Sequence, residues 1–150
     1  MMWTHLFREP VHFPDIDHGG GMYHGRYLDY LDKARQALLR HHGVSFNDLI
    51  KSGYALVVVE ANLRFFKPVL LEDTLYIYSR LNNYTDKSIG VDHLIANHAL
   101  ADEDLAKPFA EVSDRMHFAA IKLVGVDLKT KRAASLPSNL KFALASMKAG

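Results

Sequence analysis

The chain reads as an α+β domain, an antiparallel sheet covered by one long helix. Three observations predict this. One amphipathic helical pattern runs from about His24 to His42: Tyr27, Leu28, Leu31, Ala34, Leu38 and Leu39 recur at helical spacing among Asp29, Asp32, Lys33, Arg35 and Arg40. Several strand-like stretches then follow one another across short turns, which favours antiparallel pairing. A glycine run, Gly19-Gly20-Gly21, separates a first strand from the helix.

Each element has its own signal. Residues 7 to 13 alternate, with Phe7, Val11 and Phe13 on one side and Arg8 and His12 on the other; Pro10 marks an edge strand. Gly43 stops the long helix. Ser45 is the N-cap of a second, short helix that ends at Gly53. Tyr54 to Phe66 is rich in Val and Phe and reads as a strand. Leu75 to Tyr78 alternates after a turn at Glu72-Asp73, and Ser88 to Leu100 is a weaker strand pattern. Ala101 to Asp104 reads as a polar hairpin loop, and Phe109 to Asp127 as one bent strand or two. Leu136-Pro137-Ser138 opens a C-terminal helix reaching Met147. No repeat, low-complexity segment or linker interrupts this order, so residues 1–150 are expected to form one domain.

Composition excludes several function classes. Hydrophobic residues make up 49% of the chain, as in globular proteins with a real core. The net charge is +1, and Lys129, Lys131 and Arg132 form only a short cluster, so no nucleic-acid footprint is expected. There is no cysteine, hence no disulfide, thiolate metal site or cysteine nucleophile. The N-terminus lacks a signal-peptide pattern, and no apolar stretch approaches the roughly 20 residues that span a bilayer. A cytoplasmic protein is the expectation.

The segment Asp15-Ile16-Asp17-His18-Gly19-Gly20-Gly21-Met22-Tyr23-His24-Gly25 carries the chemistry. It places a carboxylate across a flexible turn from a helix N-terminus. The first N–H groups of a helix have no intrahelical partner and carry partial positive charge, so they can hold an oxyanion or a carbonyl oxygen. A carboxylate beside that oxygen can act as base or nucleophile on the carbonyl carbon. The segment therefore reads as an acyl-transfer or hydrolysis site, with Asp17 as the reacting carboxylate and Asp15 capping the turn. The His24 imidazole is a candidate proton carrier. Calcium is rejected, because Gly19 and Arg26 stand where a calcium loop needs ligands. No Gly-Lys-Ser/Thr follows the glycines, which rejects a phosphate loop, and no His-x-x-x-His pair favours zinc.

These residues resemble the hotdog-fold thioesterases of the 4-hydroxybenzoyl-CoA thioesterase-like group, which includes the acyl-CoA thioesterases associated with the Tol–Pal system. The resemblance rests on Asp15-Ile16-Asp17, Gly19-Gly20 and Tyr23-His24. It is extended by Asn62 to Val69 with Glu72-Asp73-Thr74-Leu75, and by Val126-Asp127 with Leu136-Pro137. It spans about residues 5 to 140. His18 and Gly21-Met22 depart from the usual pattern and flank the site. The resemblance implies a sheet wrapped around a central helix and hydrolysis of acyl-CoA thioesters. It implies Asp17 as the catalytic carboxylate and the backbone N–H of His24, with that of Tyr23, as donors to the thioester carbonyl. Lys87 and Ser88 fall where the family contacts the CoA moiety. No metal or redox cofactor is implied; CoA belongs to the substrate. The implied partner is a second copy of the chain, as homodimer or homotetramer; the sequence leaves open whether the acyl group arrives on CoA or on an acyl carrier protein. Two rivals stand beside this reading: a hotdog hydratase or dehydratase, and a non-catalytic acyl-CoA or carrier-protein binding module.

Overall fold

A computed structural model describes residues 4–149. Strands β1 (His5–Pro10), β2 (Tyr54–Phe65), β3 (Thr74–Tyr84), β4 (Ser88–Ala96) and β5 (His117–Asp127) form one antiparallel sheet in the order β1-β3-β4-β5-β2, and a two-residue strand, β6 (Arg132–Ala133), pairs with β5. Helix α1 (Arg26–His41) packs on one face through Tyr27, Tyr30, Leu31, Ala34, Leu38 and Leu39. The α+β expectation holds.

Leu28 is a correction: it is exposed, and Tyr30 takes the buried position. The other expected apolar positions, Tyr27, Leu31, Ala34, Leu38 and Leu39, are buried, and Tyr30 joins them with its hydroxyl bonded to Asp15. The helix also starts at Arg26, two residues later than the pattern suggests, with Gly25 at its N-cap.

Helix α2 (Phe46–Lys51) begins as expected, since Ser45 Oγ accepts the Asp48 N–H at 3.3 Å. Gly43 and Gly53 end α1 and α2 at φ of 81° and 84°, the left-handed region that favours glycine. After α2 the chain runs into β2, which among the described residues is an edge strand paired with β5 alone and shifted in register between Val58 and Glu60. Its Val57, Val58 and Val59 are exposed. Strand β3 runs well beyond Tyr78, to Tyr84.

The segment from Asn97 to Met116 corrects two expectations. Asp102–Leu105 is a short helix, α3, and not a hairpin loop; Phe109–Glu111 is a 3-10 turn and not strand. Acidic residues suit the first turn of a helix, and Phe109 and Val112, three apart, both turn down onto the sheet. With Leu100 they bury Tyr78, Leu94 and Ala96 in a second core on the face away from α1. Helix α4 (Ser138–Ala149) closes the first core with Leu140, Ala143, Leu144 and Met147. No helix of the described residues is long and apolar enough to cross a membrane.

Candidate functional site

The loop between β1 and α1 is held by its own backbone. Ile16 and Met22 face each other in an antiparallel bridge, and Gly21 does the same with Leu70. Met22 N–H donates to the Val69 carbonyl at 2.7 Å. Within this frame Asp17 closes a tight turn. Its N–H donates to the Gly21 carbonyl at 2.9 Å, and its carbonyl accepts the Gly20 N–H at 3.1 Å. Its Oδ1 accepts the Gly19 N–H at 2.8 Å. Gly20 sits at φ 85°, which explains glycine there. One oxygen of the exposed Asp17 carboxylate is thereby oriented.

Asp15 ties the loop to the helix. Tyr30 Oη donates to Asp15 Oδ2 at 2.6 Å, and Arg26 Nε lies 3.5 Å from Oδ1. Burial, followed by this bond to Asp15, pushes the Tyr30 phenol up to about 12. The bond therefore persists across the neutral range.

Tyr23 and His24 differ in a way the sequence does not show. Tyr23 N–H donates to the Asp15 carbonyl at 2.8 Å, so it is spent inside the loop and is corrected as a carbonyl donor. His24 N–H has no acceptor among the described residues. The Tyr23 and His24 rings lie 4.3 Å apart. Asp17 and His24 line one cleft of about 420 Å³ with Tyr27, Phe65, Phe66 and Lys67. Asp17 also borders a second cleft of about 470 Å³, formed with Phe13, His18, Tyr23 and Arg26. The carboxylate thus stands on a ridge between two open spaces.

The remaining walls were invisible as site residues in sequence. Tyr27 reads as core from its spacing and is buried, yet its ring lines the cleft. Burial pushes its phenol up; a backbone hydrogen bond at Val69 pulls against this, and the Asp17 and Asp73 charges add to the rise. Lys67 lines the same cleft and pairs with Asp114 at 3.2 Å. Behind the cleft stands His117, fully buried, its ring 4.6 Å from Tyr27 and 4.7 Å from Phe65. Neither ring nitrogen of His117 has a partner among the described residues. Burial lowers its pKa to about 4.

Deeper in the core, Arg35 reaches from α1 to Asp32 and, at 3.3 Å, to His93 Nε2. A guanidinium only donates, so Nε2 accepts; the proton of the neutral imidazole then sits on Nδ1 and is donated to Ser79 Oγ at 2.8 Å. Burial, then the charges of Arg35 and His117, holds His93 well below its ordinary value.

Lys87 and Ser88 are not brought to this cleft within one chain. They lie in the turn from β3 to β4, where Ser88 Oγ is 2.6 Å from Thr85 Oγ1. Ser88 pairs with Val124, whereas the cleft end of β4 is Ile95, opposite His117. Seven residues of extended strand separate the two ends by about 23 Å. No group of three or more metal-ligating side chains is present among the described residues.

The model of the thioesterase-like superfamily matches residues 11–144. With the loop, the helix start and the sheet in place, this settles the class: the chain belongs to the thioesterase-like superfamily and has the hotdog fold. Among its relatives, the acyl-CoA thioester hydrolase YbgC of Escherichia coli O157:H7 is 31% identical over 107 residues, covering 65% of this chain and 80% of that protein. The long-chain acyl-CoA thioesterase FadM of Escherichia coli strain K12 is 32% identical over 122 residues, covering 81% and 83%. The crystal structure of Slr0204, a 1,4-dihydroxy-2-naphthoyl-CoA thioesterase from Synechocystis, superposes with a TM-score of 0.79 at 22% identity, over 95% of this chain and 96% of that one.

Proposed function

We propose that the chain hydrolyses acyl-CoA thioesters at the cleft in front of α1. The observation that carries this reading is the pairing of Asp17 with the unclaimed N–H of His24 on one wall. In this reading the thioester carbonyl oxygen takes the His24 N–H, which stabilises the negative charge that develops on it. Asp17 removes a proton from water as that water attacks the carbonyl carbon; the tetrahedral adduct collapses, the C–S bond breaks, and CoA leaves as thiol after taking up a proton. Direct attack by Asp17, giving an anhydride that water opens, is the covalent variant. The route uses no metal and no redox group, and CoA enters as part of the substrate. A carrier-protein thioester is the other form of substrate in the same assay.

We place the working unit at a dimer or tetramer in the cytoplasm. The exposed valines of the β2 edge and the openness of both clefts around Asp17 support a second copy closing the site. Lys87 and Ser88 join the reading as contacts to CoA phosphates where an assembled oligomer brings a strand end across the cleft.

Thiol release from a panel of acyl-CoA substrates tests this. Asp17→Asn lowers turnover by about 10²–10⁴ while circular dichroism stays that of the parent. Near-normal turnover in that variant refutes the role of Asp17, and no release from any acyl-CoA refutes the activity.

A further inference from the structure

On the sheet face away from α1, the segment that connects β4 to β5 leaves a cleft of about 430 Å³. Small-molecule sites span about 300–1,000 Å³. Arg80 of β3 lines it with a side chain only 4% exposed. Every contact of its guanidinium is to a neutral group. Nε donates to Thr4 Oγ1 at 2.9 Å, and a terminal nitrogen donates to the Lys107 carbonyl at 2.6 Å. The Phe109 ring centre lies 4.0 Å from Cζ. No carboxylate of the described residues forms an ion pair with Arg80.

A partner was at hand. Arg80 and Asp92 stand directly opposite each other in the β3–β4 ladder, a position at which opposite charges ordinarily pair. Asp92 instead accepts two hydrogen bonds from Asn82 Nδ2, at 3.2 and 3.1 Å. Arg80 has turned along the sheet and under Phe109. Asp92 still attracts Arg80 across the ladder but does not touch it. A buried guanidinium with no carboxylate in direct contact costs free energy, and an anion from solution that reaches it relieves part of that cost. Asn82, Asp92 and Lys107, whose ammonium pairs with Asp104, also line the cleft, and Leu105, Pro108, Phe109 and Phe118 give it its apolar surface.

We infer that this cleft binds a small organic monocarboxylate, its carboxylate on the Arg80 guanidinium and its aliphatic or aromatic body against Phe118 and Leu105. Asp92, beside Arg80 on the neighbouring strand, weakens the hold on any anion and opposes a second negative charge most, and so selects against dicarboxylates and phosphates. The site is separate from the Asp17 cleft and does not depend on the catalytic reading.

The full chain is titrated with hexanoate and benzoate, and in parallel with hexanamide and benzamide, while backbone amide shifts are followed by NMR. Saturable shifts at Leu105, Phe109 and Phe118 are expected, with the amides weaker by about tenfold or more, since they lack the charge-assisted bond. Arg80→Gln weakens acid binding by the same factor. Where that variant does not fold, Ala110→Trp decides: Ala110 is exposed on the cleft wall, and the indole fills the space while leaving Arg80 in place. Acids and amides binding alike, acid binding that survives Ala110→Trp, or shifts confined to Asp17, Gly19 and His24 would overturn the assignment.

Discussion

His117 makes the stability of this protein depend on pH in a calculable way. Its imidazole is fully buried between Tyr27 and Phe65, without a partner among the described residues. Burial lowers its pKa from 6.5 to about 4. The unfolded chain therefore binds a proton near pH 6.5 that the folded chain refuses until about pH 4. Stability from this residue is complete above about pH 6.5, falls as pH drops toward 4, and falls no further below that. At 1.36 kcal/mol per pKa unit the whole loss is about 3 kcal/mol, with about 1.4 kcal/mol gone at pH 5.5 and about 2.5 kcal/mol at pH 4.5. Many carboxylates titrate in the same range, so the comparison must be between two proteins. His117→Leu removes the proton site and fills the space with an apolar side chain. Urea unfolding of both proteins, at one fixed protein concentration, is followed by far-ultraviolet circular dichroism at several pH values. Above pH 7 the variant matches or exceeds the parent, because it loses an unpartnered buried polar group. From there to about pH 4.5 its advantage grows by about 2.5 kcal/mol, a shift of about 1–2 M in urea midpoint. An advantage that stays constant with pH would refute the argument.

Two further outcomes follow from the edge strand and the helix cap. Val58→Lys puts an ammonium on the exposed β2 edge, and a two-fold interface counts it twice, so self-association weakens by about tenfold or more; light scattering at micromolar concentration reads this, and an unchanged mass would remove β2 from the interface. Ser45→Ala removes the bond to the Asp48 N–H and lowers stability by about 1 kcal/mol in the same urea assay at neutral pH, with activity retained.

What was legible in the sequence was periodic or local. The 3.6-residue recurrence from Tyr27 to Leu39 located α1, and Ser45 and the glycines marked helix ends by chemistry that operates within four residues. The loop from Asp15 to Gly25 was recognisable because its residues act on one another directly. The border of its buried face was not, since Leu28 and Tyr30 both fit an apolar stripe and the hydroxyl bond that favours Tyr30 is to Asp15, fifteen residues away. The segment from Asn97 to Met116 misled for a similar reason: Asp102-Glu103-Asp104 suits a loop as well as a first helical turn, and its anchors Leu100, Phe109 and Val112 rest on a surface that β4 shares with Tyr78 of β3, more than twenty residues back. Lys87 and Ser88 show the same limit. A strand has two ends, and nothing local to residue 87 says which end holds the cleft. His117 could have been found, because His117, Ala119, Ile121 and Leu123 alternate toward the core and a histidine in such a row is a buried one.

The position of β2 at the sheet edge also sets a timetable. Among the described residues its one strand neighbour is β5, and the paired residues run from Phe65 with His117 to Tyr54 with Asp127. Between 52 and 73 residues of chain separate those partners, by subtraction of the paired numbers. A ribosome adding about 5–20 residues per second takes about 3–15 s to deliver them. Throughout that interval the nascent chain carries the Val57-Val58-Val59 run with neither edge of its strand paired, and on polysomes neighbouring nascent chains offer one another an identical unpaired strand. Whatever shields that run during synthesis acts on seconds, and the emergence of β5 pairs one edge of the strand while the three valines stay exposed.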